Sequence, residues 1–193
     1  MSTPWGENPK FGTLIYSMES LGWVRNVAFS PTGETLAFCS HNATVSFADV
    51  VSGAAPQVVR MRELPLTHLL FLPDGSLVGA GHSYDPILFT RTDAGWQMAG
   101  VISGTHAEKK QGGAFANARN LFQTQTAQGQ STSAAAADRS NATMHSNLVC
   151  GLQLFGSTLG SSPAEFTTSG LDGKVVFWSR EEISAAMSAL AIS

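Results

Sequence analysis

Five histidines and two cysteines are the residues best equipped for chemistry in this chain, and their spacing builds no reactive group. His41, His68, His82, His106 and His145 are scattered, with no His-Glu-x-x-His motif and no paired metal ligands. His41 and His82 stand at the ends of apolar runs beside turn residues, which reads as hydrogen-bonded turn positions rather than ligands or bases. Cys39 and Cys150 lie far apart inside apolar runs without a Cys-x-x-Cys motif, the pattern of buried thiols in a reducing compartment. Gly79-Ala80-Gly81 lacks the third glycine and the following helix of a dinucleotide site. Gly173-Lys174 runs into Val175 and a strand, so it is no phosphate loop, and no Gly-x-Ser-x-Gly elbow occurs. The expectation is a protein that is not an enzyme, with no catalytic residue, no metal and no cofactor.

Composition narrows the partners. The net charge of −3 and the single small basic cluster, Lys109-Lys110, exclude a phosphate-binding face of the density nucleic acid requires. No run matches a signal peptide or a membrane span, which points to the cytoplasm. Charged residues make up only 13% of the chain, where a soluble domain carries about 25%. Two readings fit that shortfall: part of the surface meets a partner, or doubly buried strands and a Ser/Ala/Gln tract dilute the charge.

The elements that would carry such a surface come from internal self-similarity. Phe29-Ser30-Pro31-Thr32-Gly33 and Phe71-Leu72-Pro73-Asp74-Gly75 each end an apolar run in Phe and turn through Pro-x-Gly before a second apolar run. Pro31 to Pro73 and Gly33 to Gly75 share one spacing, and Thr44–Phe47 falls at that same spacing before Pro86–Phe89. A period of about 40–45 residues with four short strands per unit is the mark of a propeller blade. The strands expected are Val24–Ser30, Thr35–Ser40, Thr44–Ala48 and Gln57–Met61 in one unit, and Thr67–Leu72, Ser76–Ala80, Ile87–Thr90 and Trp96–Ile102 in the next. A third unit has Leu148–Phe155, Ala164–Ser169 and Lys174–Ser179, with Phe177 matched to Phe89. Its Asp172-Gly173 supplies the positive φ of a tight hairpin, with Asn42-Ala43 in the equivalent place and Asn42 the residue suited to it. Ahead of these, Gly12–Ser17 reads as the outer strand of a preceding blade.

The fold expected is therefore all-β, with residues 1–22 a linker and outer strand, blades at 23–63, 64–102 and 148–193, and an insertion at 103–147. Within the insertion, 114–128 reads as a short amphipathic helix whose Phe115, Ala118, Leu121 and Phe122 share one face, followed by a low-complexity tract at 130–140. A Phe-bearing helix on a long tether either docks in a partner's groove or packs back on its own scaffold. Ser179-Arg180-Glu181-Glu182 is a capping box ahead of Ile183, Ala186, Met187 and Leu190, a short C-terminal helix expected to lie on the last blade. Three blades cannot close a ring of the usual 4–8, so the chain reads as the later part of a longer propeller.

The residues also carry a resemblance. Thr3-Pro4-Trp5-Gly6, Phe11-Gly12, Gly22-Trp23-Val24, Ser40-His41, Leu64-Pro65-Leu66, Ala80-Gly81-His82, Leu88-Phe89-Thr90, Ala118-Arg119 with Phe122-Gln123, and Asp172-Gly173 occur in the order found in the WD-repeat subunit of the actin-related protein 2/3 complex. The chain is similar to the C-terminal half of that family. The resemblance implies a seven-bladed WD-repeat propeller, of which this chain supplies about three blades. It also implies a scaffold role in nucleating branched actin, in the cytoplasm at the actin cytoskeleton. The partners implied are the other subunits of the complex, nucleation-promoting factors and the actin filament. On that resemblance Ala118, Arg119, Phe122 and Gln123 of the insertion helix are implicated in actin-side contact, and Phe115 and Leu121 join them as candidate partner-binding residues through the helix's apolar face. The Trp-Asp ending of a blade departs from pattern at Ala48-Asp49 and Trp178-Ser179.

Overall fold

Alternating apolar residues cut by Pro-x-Gly and short polar turns fold here into strands that pair with their nearest neighbours in sequence. The computed structural model describes residues 10–49, 54–102, 143–155, 165–179, 181 and 183. The first sheet is β1 (Val24–Phe29), β2 (Thr35–Ser40), β3 (Thr44–Asp49) and β4 (Gln57–Arg60), antiparallel in that order. The second repeats it with β5 (Leu66–Phe71), β6 (Leu77–Gly81), β7 (Ile87–Thr92) and β8 (Gly95–Val101). In the third, β9 (Val149–Phe155), β10 (Glu165–Gly170) and β11 (Val175–Trp178) pair in the order β11-β10-β9. The strand ends move by a residue or two from the expected bounds, and the all-β class holds.

The shared spacing survives only as far as the first turn. Phe29 pairs with Leu36 across the first turn, whereas Phe71 pairs with Leu77 across the second. Glu34 is the extra residue. Downstream, Ala37 pairs with Phe47 and Val78 with Leu88, so Phe47 corresponds to Leu88 and not to Phe89. The same register sets Thr167 against Phe177 and Phe166 against Trp178, so Trp178 is the counterpart of Phe89. The expected matches of Phe47 and Phe177 to Phe89 were one residue out. One residue in a strand exchanges the two faces of the sheet, so the correction decides which side chains meet.

Both Pro-x-Gly turns close with the glycine N–H donating back to the residue before proline, Gly33 to Ser30 O at 2.8 Å and Gly75 to Leu72 O at 3.0 Å. In the tight turn between the second and third strands, the positive φ falls on Ala43 (59°), Tyr84 (71°) and Gly173 (77°). Asn42 was the residue expected to adopt it. Instead its side-chain oxygen accepts the Thr44 hydroxyl at 2.7 Å, while Ala43 O is held by Met61 N–H at 2.9 Å. Those bonds hold Ala43 in a conformation that costs a non-glycine residue about 1–2 kcal/mol.

Two apolar cores join the sheets. Ala37, Cys39, Val45 and Phe47 of the first meet Leu66, Leu69, Phe71, Leu77, Ile87 and Phe89 of the second. Leu72, Val78, Leu88 and Ala99 on the other side of the second sheet meet Phe166, Val176 and Trp178 of the third, with Ile183 added. Glycine is needed where β6 comes against the start of β5, since a Cβ on Gly81 would stand 2.6 Å from Pro65 O. The Gly79-Ala80-Gly81 run serves packing.

Two further expectations are corrected. Gly12–Ser17 forms no strand: Phe11 and Leu14 are exposed, and no described strand pairs with this segment to satisfy its backbone groups. Cys39 is buried as expected, but Cys150 is exposed, because β9 turns that side chain away from the second core. The insertion helix at 114–128 lies outside the described residues. So does most of the expected C-terminal helix, of which Ile183 is buried and donates its N–H to Ser179 O at 3.3 Å.

Candidate interaction surfaces

The most organised polar group lies in the third sheet. Trp178 Nε1–H donates to Thr168 Oγ1 at 2.8 Å, and the Thr168 hydroxyl lies 2.8 Å from His145 Nε2. His145 Nδ1 stands 3.1 Å from Asp172 Oδ1. Neutral imidazole with its proton on Nδ1 satisfies every member: it donates to the carboxylate and accepts from the hydroxyl. Ser146 N–H and Lys174 N–H also reach Asp172, at 2.9 and 3.1 Å. Burial pushes this carboxyl up, but the Ser146, His145 and Lys174 hydrogen bonds outweigh that and hold it at about 2. The network ties the segment before β9 to the β10–β11 turn. It is a staple, with His145 fully buried.

Across the junction, Asp85 is buried with no hydrogen bond to its Oδ1 among the described residues. Burial pushes its carboxyl up to about 6 against the opposing pull of the Met144 N–H and His145. Burial likewise raises the Cys39 thiol to about 11, which keeps it protonated and unreactive. His41 and His82 are turn residues whose N–H groups donate to Trp23 O at 2.9 Å and Pro65 O at 3.2 Å. His41 also stacks on the exposed Trp23, ring centroids 5.4 Å apart. Among the described residues, no cluster of three or more His, Cys, Asp or Glu side chains is placed to hold a metal ion. None of the helices searched there is long and apolar enough to cross a membrane.

The broad surfaces are the two outward sheet faces. On the first sheet, Val24, Val27 and Phe29 are 53%, 55% and 55% exposed. Their counterparts in the second sheet, Leu66, Leu69 and Phe71, are buried against the first. Val27, Phe29, Leu36 and Phe38 line an apolar groove of about 330 Å³ with Ile15 and Tyr16. At the other end, Val175 and Phe177 are 63% and 62% exposed, where their counterparts Val45 and Phe47 are buried. Phe155 packs edge-on against Phe177 on that same face, ring centroids 5.3 Å apart.

Phe115, Ala118, Arg119, Leu121, Phe122 and Gln123, the partner-binding residues expected from sequence, all lie outside the described residues. Sequence reasoning passed over the His145 network, though a signal was available. A histidine ahead of a repeat's first strand and a tryptophan closing its third are the ends of the Gly-His…Trp-Asp pattern, and Asp172 sits in the turn between.

Stacked antiparallel sheets that repeat one strand order, the third stapled by a buried polar network, define an all-β repeat protein. No family model matches the chain. Subunit 1 of the actin-related protein 2/3 complex from Schizosaccharomyces pombe is 33% identical to it over 192 residues, 90% of this chain and 50% of that protein. Subunit 1B from Arabidopsis thaliana is 33% identical over 185 residues, 90% of this chain and 47% of that protein. Subunit 1A-B from Xenopus laevis is 29% identical over 196 residues, 99% of this chain and 51% of that protein. The chain is a homologue of subunit 1 of the actin-related protein 2/3 complex, and it spans about half the length of the curated relatives it matches.

Proposed function

We propose that the chain acts as a non-enzymatic structural subunit of the actin-related protein 2/3 complex, supporting nucleation of branched actin filaments through protein–protein contacts. The observation that carries this is similarity to subunit 1 along 90% of the chain, from the first sheet through the third. The finer architecture belongs to the same reading: three blades of a WD-repeat propeller at 23–63, 64–102 and 148–193, an insertion at 103–147 with a helix at 114–128, and a C-terminal helix. The repeated sheet order and two shared cores support the blade assignment. The partners are the other subunits of the complex, the actin filament and nucleation-promoting factors, met in the cytoplasm at the actin cytoskeleton. Phe115, Ala118, Arg119, Leu121, Phe122 and Gln123 make the actin-side contact.

Affinity purification of the tagged chain from the cells that express it tests this. Recovery of actin-related proteins 2 and 3 in amounts comparable to the chain is expected. Recovery of neither would remove the chain from this complex and leave a scaffold of another assembly.

A further inference from the structure

Thr143 and Met144 stand just ahead of the His145 staple and pair with no described strand. Met144 is held instead by polar bonds from two sheets. The Lys174 ammonium in the third-sheet turn donates to Met144 O at 2.9 Å. In the second sheet, the Asp85 carboxyl accepts the Met144 N–H. The two carboxyls at this junction are satisfied unequally. Asp172 receives the Ser146 and Lys174 N–H groups and His145 Nδ1, so its ionised form is well provided. Asp85 receives one N–H, while its Oδ1 is buried and meets no donor among the described residues. A carboxylate there is an uncompensated buried charge, whereas a carboxylic acid is only an under-bonded polar group.

His145 cannot take the proton over. Its Nε2 accepts the Thr168 O–H, and Thr168 Oγ1 already accepts the Trp178 Nε1–H. An imidazolium would leave the Thr168 proton without that acceptor. The other titratable and charged groups on elements packed here are His82 on the Asp85 turn, Arg62 and Glu63 before β5, and Asp172 and Lys174 across the junction. None of these donates to Asp85 Oδ1.

We propose that the Asp85 carboxyl is a pH-sensitive latch: protonated, it keeps Thr143 and Met144 closed against the second sheet, and ionised, it lets them lift away. These two residues yield first because lifting them hydrates Asp85 without breaking a strand ladder. His145 and Ser146 stay pinned by Asp172. Burial raises the Asp85 carboxyl from 3.8 to about 6, so the closed form keeps a proton that the open form gives up. The latch is therefore firm below about pH 4 and weakens as pH rises through 6. On the functional reading above, it governs how firmly the insertion is rooted where it rejoins the sheets. That consequence rests on the reading; the latch itself does not.

Amide hydrogen exchange resolved by NMR on the full chain tests this, with protection referred to the free-peptide rate at each pH. The Met144 amide should be less protected than those of β6, because it opens without them. Its protection should fall about tenfold between about pH 5 and 7.5, as the shift of Asp85 requires. The Gly75 amide, in the turn at the other end of the second sheet, should keep its protection. Asp85→Asn should make the Met144 amide indifferent to pH. Met144 protection that ignores pH in the parent, that equals the protection of β6, or that falls as steeply in the asparagine variant would overturn the proposal. Circular dichroism checks that the variant folds; if it does not, the Asp85 carboxyl carbon is titrated in the parent chain. A midpoint near 6 is then expected, and an ordinary one near 3.8 sinks the latch. A pH-dependent Met144 in a chain that recovers no actin-related protein sinks the functional reading and leaves the latch standing.

Discussion

Phe47 lies flat on Trp96, ring centroids 4.2 Å apart and planes 3° from parallel, and this pair binds the first sheet to the second. Phe47 also tilts against Phe89 at 6.1 Å, while Phe71 meets the edge of Trp96 at 5.9 Å. Four aromatic rings from two sheets therefore share one core. Phe47→Ala removes its centre and should cost about 3–5 kcal/mol, the range for truncating a buried phenylalanine. About 0.5–1.5 kcal/mol of that belongs to the ring pair and should appear as coupling in a double-mutant cycle with Trp96→Ala. Urea unfolding measures both. A cost below about 1 kcal/mol would mean the two sheets do not depend on this contact.

The staple in the third sheet predicts an unequal pair of losses. His145→Ala strands the Thr168 hydroxyl and the Asp172 carboxylate together and leaves a cavity, so about 2–4 kcal/mol should go. Trp178→Phe keeps the ring packing and removes one N–H donor, so about 1 kcal/mol should go. Asp172 has a folded pKa of about 2, below its ordinary 3.8, so its contribution is complete above about pH 4 and is lost as pH falls toward 2. Asp172→Asn should flatten that acid limb in unfolding curves. Equal losses for His145→Ala and Trp178→Phe would contradict the chain of donors described here.

Two of the polar links across the first junction, those of Gln57 and Arg91, should differ in worth. Gln57 bridges to backbone, its Nε2–H donating to Trp96 O at 2.8 Å while its Oε1 accepts Trp96 N–H at 2.7 Å. Gln57→Leu leaves both backbone groups of Trp96 without these partners, a cost of about 1–3 kcal/mol. Arg91 pairs with Asp49 at 2.6 Å, but the Arg91 side chain is 58% exposed, so Arg91→Ala should cost at most about 1 kcal/mol. Thermal unfolding at two salt concentrations separates them, because only the Arg91 effect should shrink with added salt.

How much of this was legible in the sequence depends on how local the cause was. Strand identity was readable, because Phe29, Phe71 and the Pro-x-Gly turns after them are local signals. Register after the first turn was not: Glu34 is one polar residue among several, and matching Phe47 to Phe89 looked equally good on either face. The positive φ of Ala43 is set by Met61, which arrives from the far side of the sheet, and no local propensity announces it. His145 and Asp172 are far apart in sequence and meet only because the β10–β11 turn folds back on the segment before β9. The open faces of Val24 and Phe177 could be inferred from counting blades, but the counterparts that give them meaning required the pairings.

The insertion helix carries the prediction closest to function. Under the proposed reading Phe122 and Arg119 face a partner, so Phe122→Ala should lower branched-actin nucleation by the reconstituted complex several-fold while leaving the unfolding midpoint of the chain unchanged. Pyrene-actin assembly and thermal unfolding on the same preparation give the two readouts. Unchanged nucleation with a lowered midpoint would place Phe122 in the core.

Asp85 supplies a test with a definite sign. Its carboxyl is pushed from an ordinary 3.8 up to about 6, so the folded chain holds a proton that the unfolded chain has released across that interval. Stability from this group is therefore fully present below about pH 4 and declines as pH rises toward 6, after which the penalty is constant. Asp85→Asn keeps an oxygen to accept the Met144 N–H and removes the charge, at the cost of burying an amide in its place. The variant should be more stable than the parent by about 1–3 kcal/mol at pH 7.5, two pKa units setting the upper end. The gap should close as pH falls from 6 to 4. Urea midpoints measured every half unit across that range decide it: a gap that is independent of pH, or an asparagine variant less stable at pH 7.5, would show that the Asp85 carboxylate is well solvated or paired in the folded chain.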